Sequence, residues 1–186
     1  MKAIHYIIST VIFLLFFENQ GIKGQQSEDF FRAAVEEESG AHIGQPAPQL
    51  ILESPSGEKI ALSSLRGQIV LIDFWAAWCP PCRRENPNLV NTYRKYRGKE
   101  FDNGSGFTIY SVSLDKSKED WTAAIEKDSL EWESHVSDLK GRQSAAAIEY
   151  EVKSIPLNFL LDGNGIILAV GLRGSALEER LKELLK

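Results

Sequence analysis

The chain has 186 residues, 43% hydrophobic and 10% aromatic. That is one domain plus a short extension with enough apolar side chains for a core, which excludes a disordered chain. The formal net charge of -5 gives no electrostatic reason for a nucleic acid or anionic lipid as partner, and two cysteines are too few for a disulfide scaffold.

Lys2 precedes an apolar run from Ile7 to Phe17 that ends at Glu18. A spanning helix needs about 20 apolar residues, so residues 1–24 read as a secretory signal ending at Gly24. If retained, the same segment would tether the chain to a membrane. Either way the chain is expected to be exported, in or facing the periplasm. Residues 25–42 are polar, with Glu36, Glu37 and Glu38 in them, and read as a connector with a solvated charge run. The folded domain is expected over 43–186.

Gln49 to Glu53 and Lys59 to Leu62, around a turn at Ser54-Pro55-Ser56-Gly57, predict a hairpin. Ile69 to Trp75 is an almost unbroken apolar run of strand length, suited to a strand buried on both faces. Pro80 and Pro81 suit a first helical turn, and the helix is expected to reach about Arg97. Asp102 to Gly106 reads as a loop, Phe107 to Ser113 as a second buried strand. Lys118 to Lys127 and Ala145 to Tyr150 read as helices. Asn158 to Leu161 and Ile166 to Val170, around Asp162-Gly163-Asn164-Gly165, predict a second hairpin. Leu177, Leu181, Leu184 and Leu185 give a last helix one apolar face. The order predicts an α/β fold around a central mixed sheet flanked by helices, with an N-terminal β-hairpin extension.

Cys79 and Cys82 follow the first buried strand. A structural zinc site needs four ligands, and beyond this pair there are only His5, His42 and His135. Covalent haem attachment needs histidine after the second cysteine, where Arg83 stands. A purely structural bridge over so short a loop removes little chain entropy. Redox chemistry remains, with no metal and no organic cofactor. At a helix N-terminus, unpaired N–H groups and the helix dipole favour a thiolate. Cys79 is therefore expected to be the more exposed, attacking sulfur, and Cys82 the resolving one. Asp73 interrupts the apolar strand; a lone buried carboxylate should have a raised pKa. Glu85 lies three residues past Cys82, on the same helix face.

The run Val70-Leu71-Ile72-Asp73-Phe74-Trp75-Ala76-Ala77-Trp78-Cys79-Pro80-Pro81-Cys82 resembles the active-site strand and loop of the thioredoxin superfamily. Arg83-Arg84-Glu85-Asn86-Pro87 is similar to its exported TlpA/ResA-like branch, which is related to the AhpC/TSA group. Ser154 to Asp162 resembles the segment that carries the family's cis-proline. The resemblance covers about Ile43 to the C-terminus and implies a thioredoxin fold. It also implies a Cys79–Cys82 disulfide and a cis Ile155–Pro156 bond facing it. Trp78, Pro80, Pro81, Ile155 and Pro156 would then form the substrate surface, with the Ile155 backbone pairing with a client strand. Asp73 and Glu85 would be alternative acceptors of the Cys82 proton. Leu157 departs from the threonine common in thioredoxins.

The function so implied is an exported, monomeric thiol-disulfide oxidoreductase. It would reduce disulfides in client proteins, as in cytochrome c biogenesis or antioxidant thiol repair. A membrane thiol-disulfide donor would recharge it. The alternatives are a disulfide oxidase or isomerase, and a binding module without turnover. A peroxidase of the peroxiredoxin kind would need a threonine where Ala76 stands.

Overall fold

The computed structural model describes residues 40–186, so the expected signal 1–24 and connector residues 25–39 lie outside the described residues. Strands β1 (Ile51–Glu53) and β2 (Lys59–Ala61) pair antiparallel. Their turn is closed by Ser54 Oγ, which accepts the Glu58 N–H at 3.2 Å. A short 3-10 turn, Leu62–Leu65, leads into β3 (Ile69–Trp75), in which all seven residues are buried. Helix α1 (Pro80–Tyr96) follows, its first turn made by the two prolines, with Cys82, Leu89, Val90 and Tyr96 on its buried face.

After α1 come β4 (Glu100–Phe101) and β5 (Gly104–Ser105), then β6 (Phe107–Ser113). Helix α2 (Lys118–Lys127) is capped by Ser117, whose Oγ accepts the Asp120 N–H at 3.1 Å, the arrangement that satisfies an otherwise unpaired donor. β7 (His135–Val136), a 3-10 turn at Gly141–Gln143 and α3 (Ala145–Glu149) come next. β8 (Leu157–Leu161), β9 (Ile167–Val170) and α4 (Ser175–Glu183) complete the chain.

The central sheet has the order β7-β6-β3-β8-β9. β6 runs parallel to β3 and to β7; β8 is antiparallel to β3 and β9. The fold is the expected one, a mixed sheet with helices packed on it. β3 is the middle strand, which explains why its sequence is apolar throughout: both faces are covered. Phe74, Tyr150 and Phe159 form an aromatic cluster with ring centroids 5.0–6.1 Å apart, within the range where edge-to-face rings attract.

Two elements differ from expectation. Asp102 to Gly106 is not a plain loop but part of the β4–β5 hairpin, closed by Ser105 Oγ donating to Glu100 Oε1 at 2.7 Å. Strands this short carry no alternation to read. The hairpin docks on the β8–β9 turn, where the Gly163 N–H donates to the Asn103 carbonyl at 2.7 Å. A Cβ at Gly163 would stand 2.1 Å from that oxygen, so only glycine fits. β7 was likewise invisible: it is two residues long and, among the described residues, pairs only with β6.

His135 in β7 is buried, stacked on Trp132, with Nε2 3.2 Å from the Leu130 carbonyl. Burial depresses its pKa from 6.5 to about 4, against weaker upward pulls from the Leu130 and Trp132 backbone. The imidazole is therefore neutral when folded and protonated when unfolded across that interval. Stability from this residue is complete above pH 6.5 and is lost as pH falls toward 4, by about 3 kcal/mol. Urea unfolding of His135→Gln should show this. The stability difference from wild type should shrink by that amount between pH 6.5 and about 4; a pH-independent difference would refute the assignment.

Candidate active site

The dithiol loop leaves the C-terminal end of β3 and is held by groups remote in sequence. The Leu114 N–H donates to the Trp75 carbonyl at 2.8 Å. The Ala77 N–H donates to the buried carboxylate of Asp115, 2.9 Å from Oδ2, and Ser113 Oγ donates to the same oxygen at 2.7 Å. From the other side, Arg83 donates to the Ala77 carbonyl at 3.2 Å and to both oxygens of Asp128, which Asn86 also reaches at 2.6 Å. Burial works to raise the Asp128 pKa, but the bonds from Arg83 and Asn86 outweigh it and hold the carboxyl below its usual range. Trp78 lies over the loop, 52% exposed, with Nε1 3.4 Å from the Leu114 carbonyl.

Cys79 and Cys82 form a disulfide. Cys79 is the N-cap of α1, and the Cys82 N–H points at its sulfur, 3.2 Å away. Pro80 and Pro81 occupy the two positions between, so that N–H is the first of the helix with a hydrogen to offer. The expected difference in exposure is slight in the oxidised form, 3% for Cys79 and 1% for Cys82. The Ile155–Pro156 bond is cis, and Cys79 Sγ lies 3.9 Å from the Ile155 carbonyl oxygen. Ile155 is half-buried and belongs to no strand; among the described residues its backbone makes no bond to another backbone group.

Asp73 is 4% exposed. Register sets it between Ser111 of β6 and Asn158 of β8, a polar row across an apolar sheet. Burial raises its pKa from 3.8 to about 7, the like charge of Glu85 adds to this, and Arg173 pulls the other way. Glu85 is half-buried on α1; its Oε1 accepts the Gly174 N–H at 2.7 Å, ahead of α4. Arg173 donates to the Pro156 carbonyl. The cis-proline and both acids are thus linked through residues 173 and 174.

The structure brings Cys79, Cys82, Trp78, Ile155 and Pro156 together at the end of β3, with Pro80 and Pro81 exposed on the helix tip. It sets Glu85 close enough for its charge to help raise the Asp73 pKa, and both acids stay candidates for the Cys82 proton. Sequence reasoning missed Asp115, Asp128, Arg173 and Gly174. Asp115, an acid just past a buried strand, carried a readable signal. Arg173 and Gly174 carried none, since their contacts span 17 and 89 positions.

A thioredoxin fold with this dithiol beside a cis-proline defines a class, the thioredoxin-like thiol-disulfide oxidoreductases. Comparison with known proteins agrees. The chain is 32% identical over 144 residues to the thioredoxin-like protein YneN of Bacillus subtilis, covering 77% of this chain and 79% of that one. It is 25% identical over 186 residues to the thiol-disulfide oxidoreductase ResA of Bacillus cereus, covering 100% and 98%. The thioredoxin domain of a thiol-disulfide oxidoreductase from Bacteroides vulgatus superposes with a TM-score of 0.70 at 34% identity, covering 79% of this chain and 100% of that one. The AhpC/TSA family profile matches residues 43–170; this chain belongs to that family and is a thiol-disulfide oxidoreductase.

Proposed function

We propose that the chain works in the reducing direction, as an exported reductase of disulfides in periplasmic client proteins. Its clients in this reading are cytochrome c precursors or oxidised thiol proteins. The observation that carries this reading is the surroundings of Cys79 Sγ. One N–H points at it, that of Cys82, and a carbonyl oxygen, that of Ile155, faces it. The two prolines withhold the donors that would otherwise surround a helix-start thiolate. A strong oxidant stabilises its reduced form; here the thiolate keeps the helix dipole and the Cys82 N–H but loses two donors that a helix start ordinarily offers, so the dithiol gives up electrons more readily.

In the proposed cycle the Cys79 thiolate attacks one sulfur of a client disulfide and the other client sulfur leaves as thiolate. Asp73, with its pKa near neutral, accepts the Cys82 proton. The Cys82 thiolate then attacks Cys79 Sγ, expelling the second client sulfur and closing the Cys79–Cys82 bond. Two electrons pass to the client. A membrane-bound dithiol would restore the reduced form, as an oxidising compartment requires, and the apolar run Ile7 to Phe17 is what supports export.

Titration of the dithiol in redox buffers tests the direction. The expected midpoint is near thioredoxin's value of about -270 mV; one near about -120 mV would instead mark an oxidase.

A further inference from the structure

Trp78 stands between two surface cavities. One, about 270 Å³, has mixed charge, with Arg83 and Lys127 facing Asp115 and Asp120. The other, about 350 Å³, is lined by Trp78, Leu114, Lys116, Lys140, Gly141, Arg142 and Gln143. It holds three cations and no carboxylate, in a chain whose acids outnumber its bases 26 to 21. None of the three has a salt-bridge partner among the described residues. The acids nearest in sequence are engaged elsewhere: Asp115, beside Lys116 in the chain, is buried and accepts the Ala77 N–H and the Ser113 hydroxyl, and Asp138 is turned to the backbone, accepting the N–H groups of Lys140 and Ala145 at 3.1 Å each.

Local shape helps to hold this charge in place. Lys116 comes from the segment between β6 and α2, Lys140 and Arg142 from the turn before α3. The Lys116 stem lies across Gly141, where a Cβ would stand 2.9 Å from its Cε. Gly141 also has φ +61°, a conformation that costs other residues. Like charges collected beside an exposed tryptophan, with no internal counter-charge, call for an anion from outside. Trp78, which lines the cavity, directly precedes Cys79, so a client docked at the dithiol is the molecule placed to bring such an anion.

We infer that this cavity is a subsite for an acidic side chain, Asp or Glu, carried by the client polypeptide within a few residues of the cysteine under attack. An extended segment advances about 3.3 Å per residue, so an acid one to three positions away can rest against Lys116 and Arg142 while its cysteine meets Cys79. The inference rests on the reductase reading above.

The test uses the reduced protein and two synthetic disulfide peptides, alike except for Glu or Lys beside the cysteines, together with the neutral hydroxyethyl disulfide. Wild type should reduce the Glu peptide about fivefold more efficiently than the Lys peptide, mostly through KM. The preference should fade at high salt. In the triple variant Lys116→Gln, Lys140→Gln, Arg142→Gln it should vanish, while the neutral disulfide is turned over at the wild-type rate. Absence of the preference in wild type, or its survival in the variant, overturns the subsite. Failure of wild type to reduce the neutral disulfide would instead overturn the reductase reading.

Discussion

Cys79→Ser should lower the rate of insulin disulfide reduction by about a thousandfold or more, since the one thiol left, Cys82, is assigned to resolution and not to attack on the client. Cys82→Ser should behave differently. Its Cys79 still sits at the N-cap of α1 and can still attack, but the mixed disulfide cannot be resolved from within. The variant should accumulate covalent adducts with client proteins, visible on non-reducing gels and released by dithiothreitol. The two variants therefore separate attack from resolution. Equal insulin reduction by wild type and Cys79→Ser would remove the enzyme reading, and adducts trapped by Cys79→Ser in place of Cys82→Ser would exchange the roles.

Asp73→Asn should make the oxidised protein more stable and the enzyme slower. Asp73 binds its proton more tightly folded than unfolded, with a pKa of about 7 against 3.8. Between those values the folded state holds a proton that the unfolded chain has released, so stability falls as pH rises through the interval. Above pH 7 the buried carboxylate is charged and costs about 4 kcal/mol relative to low pH. Asparagine removes that cost, so urea unfolding should show a gain of this size above pH 7 and almost none below pH 3.8. In the same variant, resolution of the mixed disulfide at neutral pH should slow about 100-fold, the scale of a lost general base. A gain in stability with an unchanged pH–rate profile would leave Asp73 a buried acid without a part in proton transfer. The Asp73 and His135 effects oppose each other between pH 4 and 6.5, so the wild type should look flatter with pH than either variant.

Much of this fold could be read in the chain because its central elements are extreme in composition. Ile69 to Trp75 is apolar because β3 is covered on both faces, and the lone acid in it marks Asp73 against that background. The dithiol was legible for a different reason, as a local motif whose chemistry depends on residue type and spacing, and Pro156 through the resemblance of Ser154 to Asp162 to the thioredoxin superfamily. What escaped was set by tertiary contact. Glu85 looked like a rival of Asp73 because both are acids near Cys82 in the chain. Its bond from the Gly174 N–H arises only when the segment ahead of α4 reaches α1, and its electrostatic influence on Asp73 only when α1 lies against β3. The exposure expected of Cys79 followed from its position ahead of the helix, yet in the disulfide form it is nearly as covered as Cys82. The basic cavity combines Lys116 with residues more than twenty positions later, a grouping that no linear pattern announces.

The anchoring of the dithiol loop bears on how such a protein can change over time. Asp115 and Arg83 grip the residue before Trp78, and the sheet grips Trp75. Pro80 and Pro81 themselves lie on the exposed helix tip and have no N–H to donate. The bonds that hold the loop and the residues between the two sulfurs are thus different sets. Substitution at positions 80 and 81 would therefore alter the donors near Cys79 while the hydrogen bonds that hold the loop at Trp75 and Ala77 stay in place.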